Sequence, residues 1–196
     1  MERNLARPQR TAQTNQAVIP TTDICLELLK RFGTYPNIIS HSRQVARIAV
    51  FLAKELQKRG FKLNIALTEA GALLHDIAKA YSIEHPGVNH ASQGATWLRE
   101  LGYNEVAEIV ATHVDLPMPF KINERAIVNY ADKRVKHDQI VSLKERFEDL
   151  FLRYGKSEAQ INRIKRLYQR TQKLEEMIFT YLPFSPDFLN NLGGRG

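Results

Sequence analysis

Cysteine is nearly absent. The single thiol, Cys25, excludes an intramolecular disulfide and a cysteine-based zinc site. No stretch approaches the roughly 18 consecutive apolar residues that span a bilayer, so no membrane segment is expected. Residues 1–16, MERNLARPQRTAQTNQ, lack the apolar run of a secretory signal, and a cytoplasmic protein is the expectation. The G-x-x-x-x-G-K-[ST], G-x-G-x-x-G, G-x-S-x-G and H-E-x-x-H patterns are all missing, which removes P-loop, dinucleotide-binding, serine-hydrolase and zincin readings. No segment alternates strictly between apolar and polar residues, so half-buried strands are not expected either.

What remains is an ordinary globular balance. The chain has 196 residues, 43% hydrophobic and 25% charged, which suits one domain with a sizeable core. Residues 1–20 read as a disordered arm and 190–196 as a disordered tail, because both are polar and without period. Between them the apolar spacing is helical. Helices are predicted over 22–32, 37–60, 64–80, 91–101, 104–113, 123–135, 143–154 and 158–181, with a short turn from Ser185. Asn37, Asn64, Asn104 and Asn123 are candidate N-caps, and Ser142 and Ser157 open capping boxes with Glu145 and Gln160. The fold class is all-α: a single helical bundle over 21–138, with C-terminal helices over 139–189 packed on it as an extension.

Net charge is +7, and it is localised. Residues 133–173 hold 12 Lys/Arg against 5 Asp/Glu, and the rest of the chain is balanced. Such a face attracts phosphates. Its aromatics (Phe147, Phe151, Tyr154, Tyr168) fall at helical spacing and read as core rather than as a base-stacking surface. A nucleic-acid partner is therefore possible but not favoured over a solvated helical face.

Histidines and aspartates interrupt the apolar faces. His41 shares a stripe with Val45; His75-Asp76 breaks into LLHDIAK, the most hydrophobic stretch; His113 follows Ile109 and Val110; Asp132 lies in VNYADK. A single buried histidine more often completes a core hydrogen bond than holds a metal, and an ionised buried aspartate needs a partner. Together, these residues bring nitrogen and oxygen donors to the inward faces of several helices. One cation would satisfy them jointly. Imidazole and carboxylate without sulfur suit Mn, Fe, Ni, Co or Zn.

The order His41, His75-Asp76, Asp132 resembles the HD-domain superfamily of metal-dependent phosphohydrolases. HDIAK is similar to the HDIG subgroup, with Ala78 in place of the usual glycine. The resemblance runs from about Asp23 to Lys136. It implies that His41, His75, Asp76 and Asp132 ligate a first divalent metal. It implies that His90 and His113 add a second, with Asp76 bridging; His85, five residues before His90, is the alternative by position, and His90 is favoured because it opens a helix. The same six-residue set occurs in bacterial relatives that hydrolyse diadenosine tetraphosphate.

A metal lowers the pKa of bound water toward neutrality, so the implied reaction is hydroxide attack at phosphorus. Asp76 and Lys79 are the candidate catalytic residues. Lys79, Lys133, Arg134 and Arg43 are candidates to bind substrate phosphates, with His137 behind them. The expected substrate is a small phosphorylated molecule of nucleotide type. Two other classes stay open: an HD-fold binding or signalling module without hydrolysis, and a nucleic-acid-binding protein using 133–173.

Overall fold

The computed structural model describes residues 18–193, so the arm expected over 1–20 lies almost wholly outside the described residues, as do 194–196. Helix starts follow local chemistry. Thr21, Asn64, Asn89, Asn123, Ser142 and Ser157 each accept a backbone N–H from the first turn of the helix they open. These helices are α1 (Thr22–Arg31), α3 (Ile65–Leu74), α5 (His90–Glu100), α7 (Glu124–Asp132), α8 (Leu143–Tyr154) and α9 (Glu158–Phe179). α2 (Pro36–Gln57) opens differently, with Tyr35 as N-cap and Pro36 in its first turn, so Asn37 lies inside the helix. α6 (Asn104–Thr112) opens behind Tyr103 without a side-chain cap. The Ser142–Glu145 box closes reciprocally. At Ser157 the box is half made, because the Gln160 carboxamide accepts from Lys156 N instead.

α2 runs through the centre and packs against α3 and α7, while α5 and α6 pair with each other and α8 with α9. One hydrophobic core extends from Cys25 through Ile48, Leu74, Ile127, Phe147 and Ile178 to Leu189, so the C-terminal helices share it. Burial pushes the Cys25 thiol up to about 12, which fits the core role its position suggests. Phe147 is buried and Phe151 and Tyr168 pack beside it, but Tyr154 is exposed and does not join the core. Close packing around α3 and α5 depends on two glycines. A Cβ on Gly71 would meet the Ile109 side chain at 2.7 Å, and one on Gly94 would meet that of Ile77 at 2.9 Å.

Three expectations are corrected. The helix predicted over 64–80 is two helices. α3 stops at Leu74, and α4 (Lys79–Glu84) restarts after a turn over 75–78. There the hydrogen-bond ladder tightens: Ile77 N donates to Leu74 O and Lys79 N to Asp76 O. The Thr34 hydroxyl donates to Ile77 O at 3.1 Å, tying the turn to the residues that precede α2. Second, a small antiparallel hairpin pairs β1 (Val135–Lys136) with β2 (Gln139–Ile140) where none was expected. Third, 190–193 are not a loose tail. A 3-10 helix over Pro186–Gly193 buries Leu189 completely and sets Leu192 against the core.

Candidate metal centre

The turn after α3 presents His75 and Asp76. His41 arrives from the first third of α2, His90 is the first residue of α5, His113 caps the C-terminal end of α6, and Asp132 is the last residue of α7. Six donors from five places in the chain thus meet in one spot, as two triads: His41–His75–Asp132 and Asp76–His90–His113. Within each triad one donor atom per residue lies within 4.8 Å of the others.

In the first triad, Asp132 Oδ1 is 3.1 Å from His41 Nε2 and 3.6 Å from His75 Nε2. In the second, Asp76 Oδ1 is 3.2 Å from His90 Nε2 and 3.4 Å from His113 Nε2. His90 Nε2 and His113 Nε2 are 3.2 Å apart. Asp76 joins the halves, since its Oδ2 is 3.7 Å from His75 Nε2.

The imidazole tautomers decide what these contacts mean. His41 Nδ1 donates to His137 O, His75 Nδ1 to Ala72 O and His113 Nδ1 to Val110 O, each at 2.7 Å. In a neutral ring this leaves each Nε2 as a bare lone pair. Three such lone pairs face carboxylate oxygens or one another. His75 Nε2 and Asp76 Oδ1 are buried without a hydrogen bond. Buried orphans of this kind are rare and costly. A cation between them satisfies every one, so the donor set fits a divalent metal in each half. The Nδ1 anchors are the usual orienting contacts of metal-bound histidine.

Electrostatics agree. Burial opposes ionisation of Asp76, but His75 and the neighbouring His113 and His90 rings outweigh it and hold the carboxyl well below its ordinary range. Burial likewise opposes Asp132, and Lys133 with His41 and His75 outweighs it. His113 is pushed down to about 4 by burial, so it stays neutral. Burial pulls His75 down, yet the Asp76 and Asp132 carboxylates prevail and raise it.

Several predicted residues take places other than the sequence suggests. Arg134 is 1% exposed. Its guanidinium donates to Val141 O, the Tyr130 hydroxyl, Glu175, Pro186 O and Asn190, so it stitches the 3-10 helix and α9 to α7. Arg43 lies on another flank of α2, lining an open groove of about 470 Å³ with Arg47, Lys54 and Leu73. His85 is exposed, bonded to Tyr81 O and stacked on the Tyr81 ring at 3.9 Å; it does not replace His90. His137 contributes its carbonyl, not its ring, and holds φ at 56° to do so. That left-handed conformation is unfavourable for a residue with a Cβ. Lys133 is buried against Asp132 rather than turned to solvent. Lys79 opens α4 half-buried, and its cation is among the groups that lower Asp76.

Sequence reasoning missed Asn129, which donates to His113 O at 2.7 Å. The available signal was an amide on the inward face of α7, three residues before Asp132.

Residues 38–179 match the HD domain family. The chain belongs to that family. The match passes through α8 and α9, beyond the limit of about 138 expected for the domain. An uncharacterized protein of Methanocaldococcus jannaschii is 30% identical over 161 residues, which cover 71% of this chain and 89% of that protein. A tRNA (cytidine(56)-2'-O)-methyltransferase of Thermoplasma volcanium is 32% identical over 63% of this chain, but only 41% of its own length is covered. Ribonuclease Y of Fervidobacterium nodosum is 39% identical over 97 residues, 49% of this chain and 17% of that protein. Among solved structures, a predicted HD superfamily hydrolase from an uncultured Thermotogales bacterium matches at a TM-score of 0.46 and 20% identity, over 82% of this chain and 92% of that one. No described helix is long and apolar enough to cross a membrane.

Proposed function

We propose that this HD domain is a phosphohydrolase that uses two divalent metal ions on a phosphoester or phosphoanhydride of a nucleotide-type substrate. One observation carries the reading: two facing triads of imidazole and carboxylate donors, with buried lone pairs that no hydrogen satisfies. His41, His75 and Asp132 hold one ion, and His90 and His113 the other. Asp76 would join them, since its Oδ1 faces His90 and its Oδ2 faces His75. When bound, such a metal lowers the pKa of water and offsets charge that develops on phosphoryl oxygens. Lys79, immediately beyond the Asp76 turn, is assigned to the substrate phosphate. The donor set suits Fe, Mn, Ni, Co or Zn.

Elemental analysis after anaerobic purification tests this first. Two equivalents of a transition metal, both lost in Asp76→Ala, support the centre, and hydrolysis of diadenosine tetraphosphate is then assayed beside nucleoside monophosphates and cyclic nucleotides. No metal, and none regained on adding Mn, Fe, Co, Ni or Zn, overturns it in favour of a binding module.

A second substrate has its own support. Arg163, Lys165, Arg166 and Lys173 are exposed along α9, and the chain is similar over half its length to a protein named as a ribonuclease. Steeply salt-dependent binding of mixed-sequence RNA, with release of a terminal phosphate, would make an RNA end the substrate.

A further inference from the structure

Lys133 follows the last residue of α7, yet its side chain does not leave for solvent. It is 4% exposed. Lysine is among the residues least often buried, and an ammonium taken from water needs partners of good geometry. Here it has two. Nζ donates to Asp132 Oδ2 at 2.7 Å and to His113 O at 2.8 Å. The first acceptor belongs to one triad, and the second is the main chain of a donor in the other.

Each contact has a consequence. With Oδ2 capped, only Oδ1 of Asp132 is left for a metal, and that is the atom facing His41 and His75. On the other side, His113 O lies at the end of α6, where no helical N–H follows to satisfy it. Lys133 and Asn129 fill that role together. The His113 ring hangs from this main chain and is aimed at Asp76.

We propose that Lys133 is a positioning residue that struts the two halves of the centre together, fixing Asp132 to single-oxygen ligation and His113 in place. The proposal rests on the two-metal reading above. It replaces the substrate-phosphate role that the sequence suggests for this lysine.

The test uses the full chain, stripped of metal and titrated with Co²⁺ alone, by calorimetry and visible absorption. Lys133→Met, which keeps the unbranched stem, is made in two backgrounds. His90→Ala leaves the His41–His75–Asp132 half to be read, and His41→Ala leaves the other. The expected result is affinity weakened about 10- to 100-fold in both backgrounds, the usual range for an orienting contact, with an altered Co²⁺ spectrum. Lys133→Gln is a milder lesion expected to weaken both by less, and it serves if the Met variant does not fold. Weakening in one background alone overturns the strut. So does wild-type Co²⁺ binding in both variants with only KM raised, which would return Lys133 to substrate contact. If the unmodified chain binds no Co²⁺, the two-metal reading itself fails and the strut with it.

Discussion

The two triads use the same kinds of donor but are held differently. In His41–His75–Asp132, both imidazoles donate Nδ1–H to a main-chain carbonyl, and Lys133 caps the carboxylate. In Asp76–His90–His113, His113 alone shows such an anchor among the described residues. His90 is 18% exposed at the first residue of α5, and Asp76 Oδ1 receives no hydrogen bond. A donor already fixed has less freedom to lose when a metal arrives. On the two-metal reading, the first half would be built before binding and the second completed by it. The comparison predicts unequal affinities from nearly equal chemistry.

The largest break is at the residue the halves share. Asp76→Ala is expected to lose both metals and all hydrolysis, read by elemental analysis and a phosphate-release assay. Retention of even one full equivalent would show that Asp76 does not join the halves. His90→Ala should keep one equivalent and lose the second, and a chelator titration of the unaltered protein should remove the second-half metal first. Equal removal of both would erase the proposed asymmetry. Smaller still is Asn129→Ala, which frees one support of His113 O. It should weaken the second half roughly tenfold and leave the first unchanged, in line with other orienting contacts.

Acid separates the halves of the metal-free protein. His113 has its folded pKa lowered from 6.5 to about 4, so the unfolded chain takes its proton first as pH falls. Stability from this residue is complete above pH 6.5 and is lost between there and about 4. His75 has the opposite sign: its raised pKa adds stability that is full below 6.5 and disappears as pH rises through the folded value. His113→Gln should therefore flatten the acid limb of a denaturation series, and His75→Gln should remove a loss of stability on the alkaline side of pH 6.5. Matching limbs in the two variants would contradict these environments. The smallest effect is expected from Gly94→Ala, whose Cβ would press Ile77 at 2.9 Å and Val110 at 3.1 Å. Overpacking costs about 1–3 kcal/mol, and the helix-propensity gain of up to about 1 kcal/mol offsets part of it. A modest drop in Tm is the expected readout, and an unchanged Tm would mean that the contact relaxes.

Five of the six residues, His41, His75, Asp76, His113 and Asp132, stood out because each breaks an apolar helical pattern, and a polar group in such a place must have a reason; His90 entered only through the family resemblance. The helix starts at Asn64, Asn123, Ser142 and Ser157 were legible because a cap is a local hydrogen bond. The break after Leu74 was not. The apolar spacing runs on through Ile77 and Ala78, and what holds the turn includes a contact no local pattern records: the hydroxyl of Thr34, 43 positions away, donates to the Ile77 carbonyl. Nor could basicity sort the lysines and arginines. Lys133 and Arg134 are adjacent cations in sequence, yet one turns to the metal ligands and the other to Tyr130, Glu175 and the 3-10 helix.

Sequence alone determined the helical class, most of the element boundaries and which polar residues stand on apolar faces. These are matters of period, capping and the cost of burying polar atoms, all of which act over a few residues. Only the tertiary structure decided that Asp76 groups with His90 and His113, that His137 lends a carbonyl and not a ring, and that Lys133 faces inward. Those outcomes depend on which distant backbone atoms lack a partner once the helices have packed, and no local pattern records that.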